Sequence, residues 1–258
     1  MRRKESIYLI PIPFLLSLLI QVAVAAMMNM LHMSDWFSDA ATYGAFLRLV
    51  IGLLSVIIFG CWYCYAFGRN RRISYKRIFT FHNIFLLLAI AICGQVTISI
   101  LLTMVLPLIV GATEHYQATV GTLFETSPLT LLYVVLLSPL GEELIFRGLT
   151  LQFGRRAMPA LFANMIQAVL FGLYHWNLVQ GIYAFVMGFV FGVVVIKLGS
   201  LWTAIIMHVV LNAVGLWMNA YLNLDFSALV GIVIFLFSLA IVALSLYLLP
   251  TLKPEVIE

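Results

Sequence analysis

Six side chains place charge or hydrogen-bonding capacity inside apolar stretches of this sequence: Glu142, Glu143, Arg147, His175, His208 and Asn212. Carboxylates and imidazoles are the groups that most often move protons near neutral pH. Amides and protonated imidazoles can hydrogen-bond an oxyanion as it forms. The set therefore holds the parts of a hydrolytic centre: a base to activate water, partners to orient it, and donors for a tetrahedral intermediate. A charged side chain at a bilayer centre costs on the order of 2.5–3.5 kcal/mol on insertion scales. Groups kept against that cost face a bundle interior, pair with one another and mark functional sites.

Spacing divides the roles. The segment Ser138–Gly148 reads SPLGEELIFRG. Neighbours on a helix point about 100° apart, whereas residues four apart share a face. Glu143 therefore pairs with Arg147, in the acid-before-base order that this spacing favours. That leaves Glu142 free for chemistry. Pro139 removes a helix hydrogen bond and predicts a kink that opens local space for water. Phe171 and His175 are also four apart, so the ring packs beneath the imidazole. His208 and Asn212 share a face in the same way and aim two polar groups at one spot. A helical hairpin turning near residues 158–159 sets Glu142 and His175 level, each about 16 residues from the turn. Lys197 marks a helix end, and His208 lies about 15 Å along the next helix.

The elements that must position these residues are membrane helices. Of 258 residues, 64% are hydrophobic and 9% charged, with a mean hydropathy of +1.12. A soluble domain is about 25% charged. Apolar stretches reach 20 residues and lack period-two alternation, which selects an all-α polytopic membrane helix bundle over a barrel. We place about eight transmembrane helices near residues 8–30, 44–67, 84–111, 129–149, 159–176, 179–197, 201–220 and 227–249. Residues 1–258 read as a single integral membrane domain, with a motif-bearing core near 128–216. The run from Tyr8 to Met30 is too long for a signal-peptide core and stays as a membrane helix.

Charge follows the same alternation. Arg2, Arg3, Lys4, Arg69, Arg71, Arg72, Lys76, Arg77, Arg155, Arg156, Lys197 and Lys253 fall at one set of ends. Asp35, Asp39, Glu114, Glu125 and Asp225 fall at the other. Basic residues stay on the cytoplasmic side, so both termini are expected in the cytoplasm. The net charge of +4 is thus no nucleic-acid footprint. Arg48 is expected to snorkel from the outer end of the second span. Cys61, Cys64 and Cys93 read as packing residues. Gly181, Gly188 and Gly192 share one face and predict close helix contact. His32, His82 and His115 fall at span ends or in loops and receive no role.

The patterns E-E-x-x-x-R, F-x-x-x-H and H-x-x-x-N, in this order on separate apolar helices, resemble the CPBP family of intramembrane proteases. That family includes CAAX-type prenyl endopeptidases and the bacteriocin-processing and self-immunity proteins also called Abi. The likeness covers residues 128–216 and implies peptide-bond cleavage within the membrane. It implies Glu142 as the general base on water, with His175 positioning that water and sharing proton transfer. His208 and Asn212 would hold the oxyanion, and Glu143, Arg147 and Phe171 would support the site. This mechanism needs no cofactor. The family has also been described as metalloproteases; a zinc ion would then draw on Glu142, His175 and His208, although no H-E-x-x-H is present. The implied partners are the bilayer and a membrane-associated peptide substrate, either a prenylated C-terminal peptide or a bacteriocin or signalling-peptide precursor. A bacterial cytoplasmic membrane is the expected location.

Two other function classes fit the same residues. A non-enzymatic scaffold or bacteriocin self-immunity protein would keep Glu143–Arg147 as an ion pair and His208–Asn212 as interhelical hydrogen bonds. A proton-coupled transporter would use a Glu–His chain, but these residues converge on one locus and line no path.

Overall fold

The computed structural model describes residues 3–68, 73–109, 111, 114, 127–221 and 226–253. Arg2, Arg69, Arg71, Arg72, His115, Glu125 and Asp225 lie outside the described residues. Among the described residues there are helices and turns but no strand.

Among the described residues, seven helices are long and apolar enough to cross a membrane: Glu5–Met30, Ala40–Phe67, Phe81–Leu108, Pro128–Ala157, Leu178–Leu198, Leu201–Tyr221 and Ala228–Leu248. The chain is a multi-pass membrane protein. The eighth apolar segment, expected over 159–176, is the helix Ala160–Tyr174. Its 15 residues extend about 22 Å, short of a hydrocarbon core of about 30 Å. Pro159 starts it and the turn at His175–Asn177 stops it.

In chain order the elements are α1 (Arg3–Leu9), α2 (Ile12–Met30), α3 (Ala40–Phe67), α4 (Tyr75–Ile78) and α5 (Phe81–Val105). They continue with α6 (Pro128–Ala157), α7 (Ala160–Tyr174), α8 (Leu178–Leu198), α9 (Leu201–Tyr221) and α10 (Ala228–Leu248). Pro11 divides the first span into α1 and α2. The hairpin between α6 and α7 turns at Met158–Pro159, as its spacing predicts.

Small residues let the helices meet where the site is built. α3 and α6 run parallel. A Cβ at Gly141 would stand 3.3 Å from Ser55 Cβ, and one at Gly148 would stand 3.2 Å from the Tyr63 ring. α7 and α8 meet backbone to backbone. A Cβ at Gly172 would come within 2.7 Å of the Gly181 carbonyl, and one at Gly181 within 2.9 Å of the Gly172 carbonyl. Asn164 and Gln167 of α7 clasp the same partner: Asn164 donates to Phe189 O at 3.0 Å and Gln167 to Gly188 O at 2.9 Å. One apolar cluster joins α5, α8 and α9 to α10; a second joins α2 and α3 to α6 and α7.

Arg77, Arg156, Lys197 and Lys253 gather at one end, where they bond terminal carbonyls. Lys197 Nζ donates to Leu246 O and Leu249 O, both at 2.7 Å, at the C-terminus of α10. Arg156 Nη2 donates to Ala66 O at 3.3 Å at the C-terminus of α3. Arg77 Nη1 donates to Lys253 O at 3.3 Å. Cations suit helix C-termini because the terminal carbonyls there lack intrahelical donors.

Candidate active site

The two glutamates sit near the middle of α6, on a short α-helical stretch (Ser138–Glu143) between π-helical turns at Tyr133–Leu137 and Leu144–Thr150. Pro139 accounts for the first turn. A proline lacks an N–H and its ring crowds the carbonyl four residues back, and a wider turn relieves the crowding. The register shifts there: Ser138 N–H bonds Tyr133 O, five residues back. The next carbonyl, Val134 O, would look to residue 139 in that register, and a proline has nothing to donate. Asn212 Nδ2 of α9 fills the gap at 2.8 Å. The second turn repeats the device, with Gln152 Nε2 donating to Arg147 O at 3.2 Å.

Glu143 is fully buried and its Oε1 accepts two charge-assisted bonds, both at 2.8 Å. One comes from Arg147 Nη1, the pair expected from spacing. The other comes from His208 Nδ1, a partner 65 positions away that helix periodicity cannot reveal. The Arg147 guanidinium, also fully buried, lies 4.2 Å from the Phe171 ring centroid and 5.5 Å from that of Phe191. Aromatic faces offset part of its lost hydration.

Glu142 keeps a small exposure of 9%. Its Oε1 accepts a short hydrogen bond from Ser138 Oγ. Its Oε2 lies 3.8 Å from His208 Nε2. His208 thus bridges the two glutamates, one nitrogen to each. Because Glu143 is an acceptor, the ring proton sits on Nδ1. The remaining Nε2 accepts in the neutral ring and donates when the ring carries both protons.

His175 caps the C-terminus of α7. Its backbone N–H turns to Gly172 O, so Phe171 O lacks its helical donor, and His175 Nδ1 supplies one at 2.9 Å. A carbonyl only accepts, which fixes the proton on Nδ1 and leaves Nε2 with a lone pair. Trp176, at φ 53°, makes the turn behind it in the left-handed region that favours glycine. Asn177 then caps α8 by accepting from Gln180 N–H at 2.9 Å. The Phe171 ring packs edge-on to both imidazoles, 4.9 Å from His175 and 6.0 Å from His208 between centroids. His175 lies within electrostatic reach of Glu142 and His208. The expectation that a ring supports the imidazole holds, and that ring serves both histidines.

All seven residues singled out from the sequence therefore meet in one region, contributed by α6, α7 and α9. Sequence reasoning missed Ser138, although it stands four before Glu142, the spacing that paired Glu143 with Arg147. It also missed Asn164 and Gln167, whose only signal is polarity on an apolar helix. Among the described residues no three of His, Cys, Asp and Glu converge as a metal ligand set. Glu142 Oε1 is held by Ser138, and both imidazoles anchor their Nδ1 on other acceptors. Histidines that hold a metal carry their other ring N–H on just such acceptors, so Glu142 Oε2 and the two Nε2 atoms are the groups that would hold a zinc ion if one binds.

Residues 124–214 match the family described as Type II CAAX prenyl endopeptidase Rce1-like. That segment is similar to a CPBP-family protease domain. The matched segment of the Rce1-like domain spans every motif residue from Glu142 to Asn212 and lies within a few residues of the 128–216 core expected from the motifs. It supports a CAAX-type intramembrane endopeptidase. Searches of curated proteins and of solved structures found no match.

Proposed function

We propose that the protein hydrolyses peptide bonds of membrane-associated peptides with water activated by Glu142. One observation carries this reading: two imidazoles with their Nδ1 protons anchored on fixed acceptors flank a carboxylate whose Oε2 is left for chemistry. In the proposed reaction Glu142 takes a proton from water as the oxygen attacks the scissile carbonyl carbon. His175, through its Nε2 lone pair, holds that water and shares its proton. His208, carrying both ring protons, and the second Nδ2 hydrogen of Asn212 donate to the oxyanion. Collapse breaks the C–N bond, and the proton taken from water passes to the leaving amine. Glu143 and Arg147 keep His208 in place, and Phe171 backs both rings. No cofactor takes part in this scheme.

The family description favours prenylated C-terminal peptides as the first substrates to try, with bacteriocin and signalling-peptide precursors beside them. We assign the protein to a cell membrane, in the bacterial case the cytoplasmic one, with both termini cytoplasmic; the gathering of Arg77, Arg156, Lys197 and Lys253 at one end supports that orientation. The purified protein in liposomes is expected to cleave members of such a panel. Glu142→Ala and Glu142→Gln are each expected to lose activity by about 10²–10⁴-fold, and a chelator to leave the wild type unchanged. Cleavage that survives both substitutions sinks the mechanism, and loss on chelation sinks its metal-free form.

A second reading rests on Asn212, which serves as an interhelical clasp on Val134 O. A non-enzymatic scaffold or immunity protein would need that clasp and the Glu143–Arg147 pair but not Glu142. Such a protein keeps its cellular phenotype as Glu142→Ala.

A further inference from the structure

We propose that Ser138 and Tyr133 form a hydroxyl chain that positions the Glu142 carboxylate, with Gly52 of α3 as its seat. The proposal rests on Glu142 being the general base and concerns what aims it. A glutamate side chain turns about three bonds, and in the membrane no bulk water restrains it. Ser138 Oγ donates to Glu142 Oε1, which leaves Oε2 as the oxygen facing His208 Nε2 at 3.8 Å. The hydroxyl thereby decides which oxygen works.

Asn212 helps turn the Ser138 hydroxyl toward Glu142. A serine inside a helix ordinarily returns its proton to the carbonyl four residues back. That carbonyl is Val134 O, where Asn212 Nδ2 donates at 2.8 Å and competes for the position. The Ser138 proton goes to Glu142 instead. A hydroxyl has one proton to give, so any further bond to Ser138 Oγ must be donated to it.

Tyr133 is placed to make that donation. Its hydroxyl faces the Ser138 side chain and lies within electrostatic reach of Glu142 and Arg48. In an α-helix, residues five apart point about 140° away from each other. The π-helical turn Tyr133–Leu137 bonds each residue to the fifth, which brings Tyr133 and Ser138 onto one face. The α-helical stretch that follows aligns Ser138 with Glu142, four further on. The change of register between the two makes the line continuous. Packing supports it from α3: a Cβ at Gly52 would stand 3.2 and 3.3 Å from Tyr133 Cδ2 and Cε2. The Cδ2–Cε2 edge of the ring packs against that glycine.

The test measures kcat and KM, on a peptide the wild type cleaves, for Ser138→Ala, Ser138→Cys, Ser138→Thr, Tyr133→Phe and the Ser138→Ala/Tyr133→Phe double variant. A lost hydrogen bond to a charged group is expected to lower kcat about tenfold in Ser138→Ala and Ser138→Cys, with KM unchanged. Ser138→Thr, which keeps the hydroxyl, restores kcat to within about twofold. Tyr133→Phe loses about threefold, and the double variant loses no more than Ser138→Ala, because Tyr133 acts only through Ser138. Thermal unfolding in detergent accompanies each variant, and the cysteine variant, close in size to serine, stands in should the alanine variant not fold. A Ser138→Cys kcat near that of the wild type overturns the proposal. So does a loss confined to KM, or a double variant whose loss is the product of the two singles. Glu142→Gln separates the premises: its full activity refutes the general base, whereas its inactivity beside an unimpaired Ser138→Cys refutes the hydroxyl chain alone.

Discussion

Glu142 and Glu143 are adjacent in sequence and chemically alike, yet substituting them is expected to cause opposite failures. Glu142→Gln keeps the shape of the site and removes a proton acceptor, so activity falls while thermal stability holds. Glu143→Gln removes the countercharge of Arg147, whose Nε and Nη2 already have no partner, and loosens His208. Breaking a fully buried pair costs about 3–5 kcal/mol. We expect that loss in thermal unfolding of Glu143→Gln, together with a large drop in kcat. Equal stability of the two variants contradicts the assignment of Glu143 to His208 and Arg147. His175 belongs to the same scale: its tautomer is set by one carbonyl, Phe171 O, which the end of a helix leaves unpaired.

At the scale of the element, α6 carries the site because its register is not uniform. A single proline forces the first π turn, the turn leaves Val134 O without a donor, and Asn212 ties α9 to that vacancy. Asn212→Ala leaves a buried carbonyl unpaired and is expected to destabilise the protein by about 1–3 kcal/mol. Adding Pro139→Ala returns an N–H to residue 139, so the double variant should lose less stability than the sum of the two single losses; strict additivity speaks against the vacancy argument. The α8 glycines belong to this scale too. A Cβ at Gly188 would stand 2.9 Å from Phe171 Cδ1 and 3.2 Å from Arg147 Nη2. Gly188→Ala is therefore expected to cost about 1–3 kcal/mol through overpacking and to lower kcat, since it pushes the ring that backs both histidines. The same change at Gly181 meets the Gly172 carbonyl, and its effect should be confined to stability.

Across the whole molecule, the basic end holds the C-termini of helices together as well as marking a side of the membrane. Lys197 satisfies two carbonyls of α10, and Leu252 N–H returns to Lys197 O at 2.7 Å. Lys197→Met keeps the apolar stem and loses both bonds, for an expected cost of about 1–2 kcal/mol at this half-buried position. Orientation has its own test. Single cysteines at Ser34 and at Lys253, in a background without native cysteines, should label from opposite faces of sealed vesicles. Labelling of both from one face contradicts the alternation of charge.

The sequence by itself determined the membrane class, the helix order and which residues could do chemistry. Apolar length, the sign of loop charges and four-residue spacing are local properties, and a bilayer punishes unpaired polar groups enough to make them legible. Spacing found the Glu143–Arg147 pair, the packing of Phe171 on His175 and the hairpin at Met158–Pro159. It also expected an eighth apolar helix over 159–176, which forms as Ala160–Tyr174, shortened by Pro159 and the turn at Trp176, and runs antiparallel to α8. Tertiary structure alone decided that Glu143 holds His208, that Asn212 binds Val134 O and that Ser138 turns to Glu142. Those partners lie on different helices, or across a change of helical register, and contacts between helices depend on how small residues such as Gly52, Gly141 and Gly188 let the backbones approach. No periodicity within one helix carries that information.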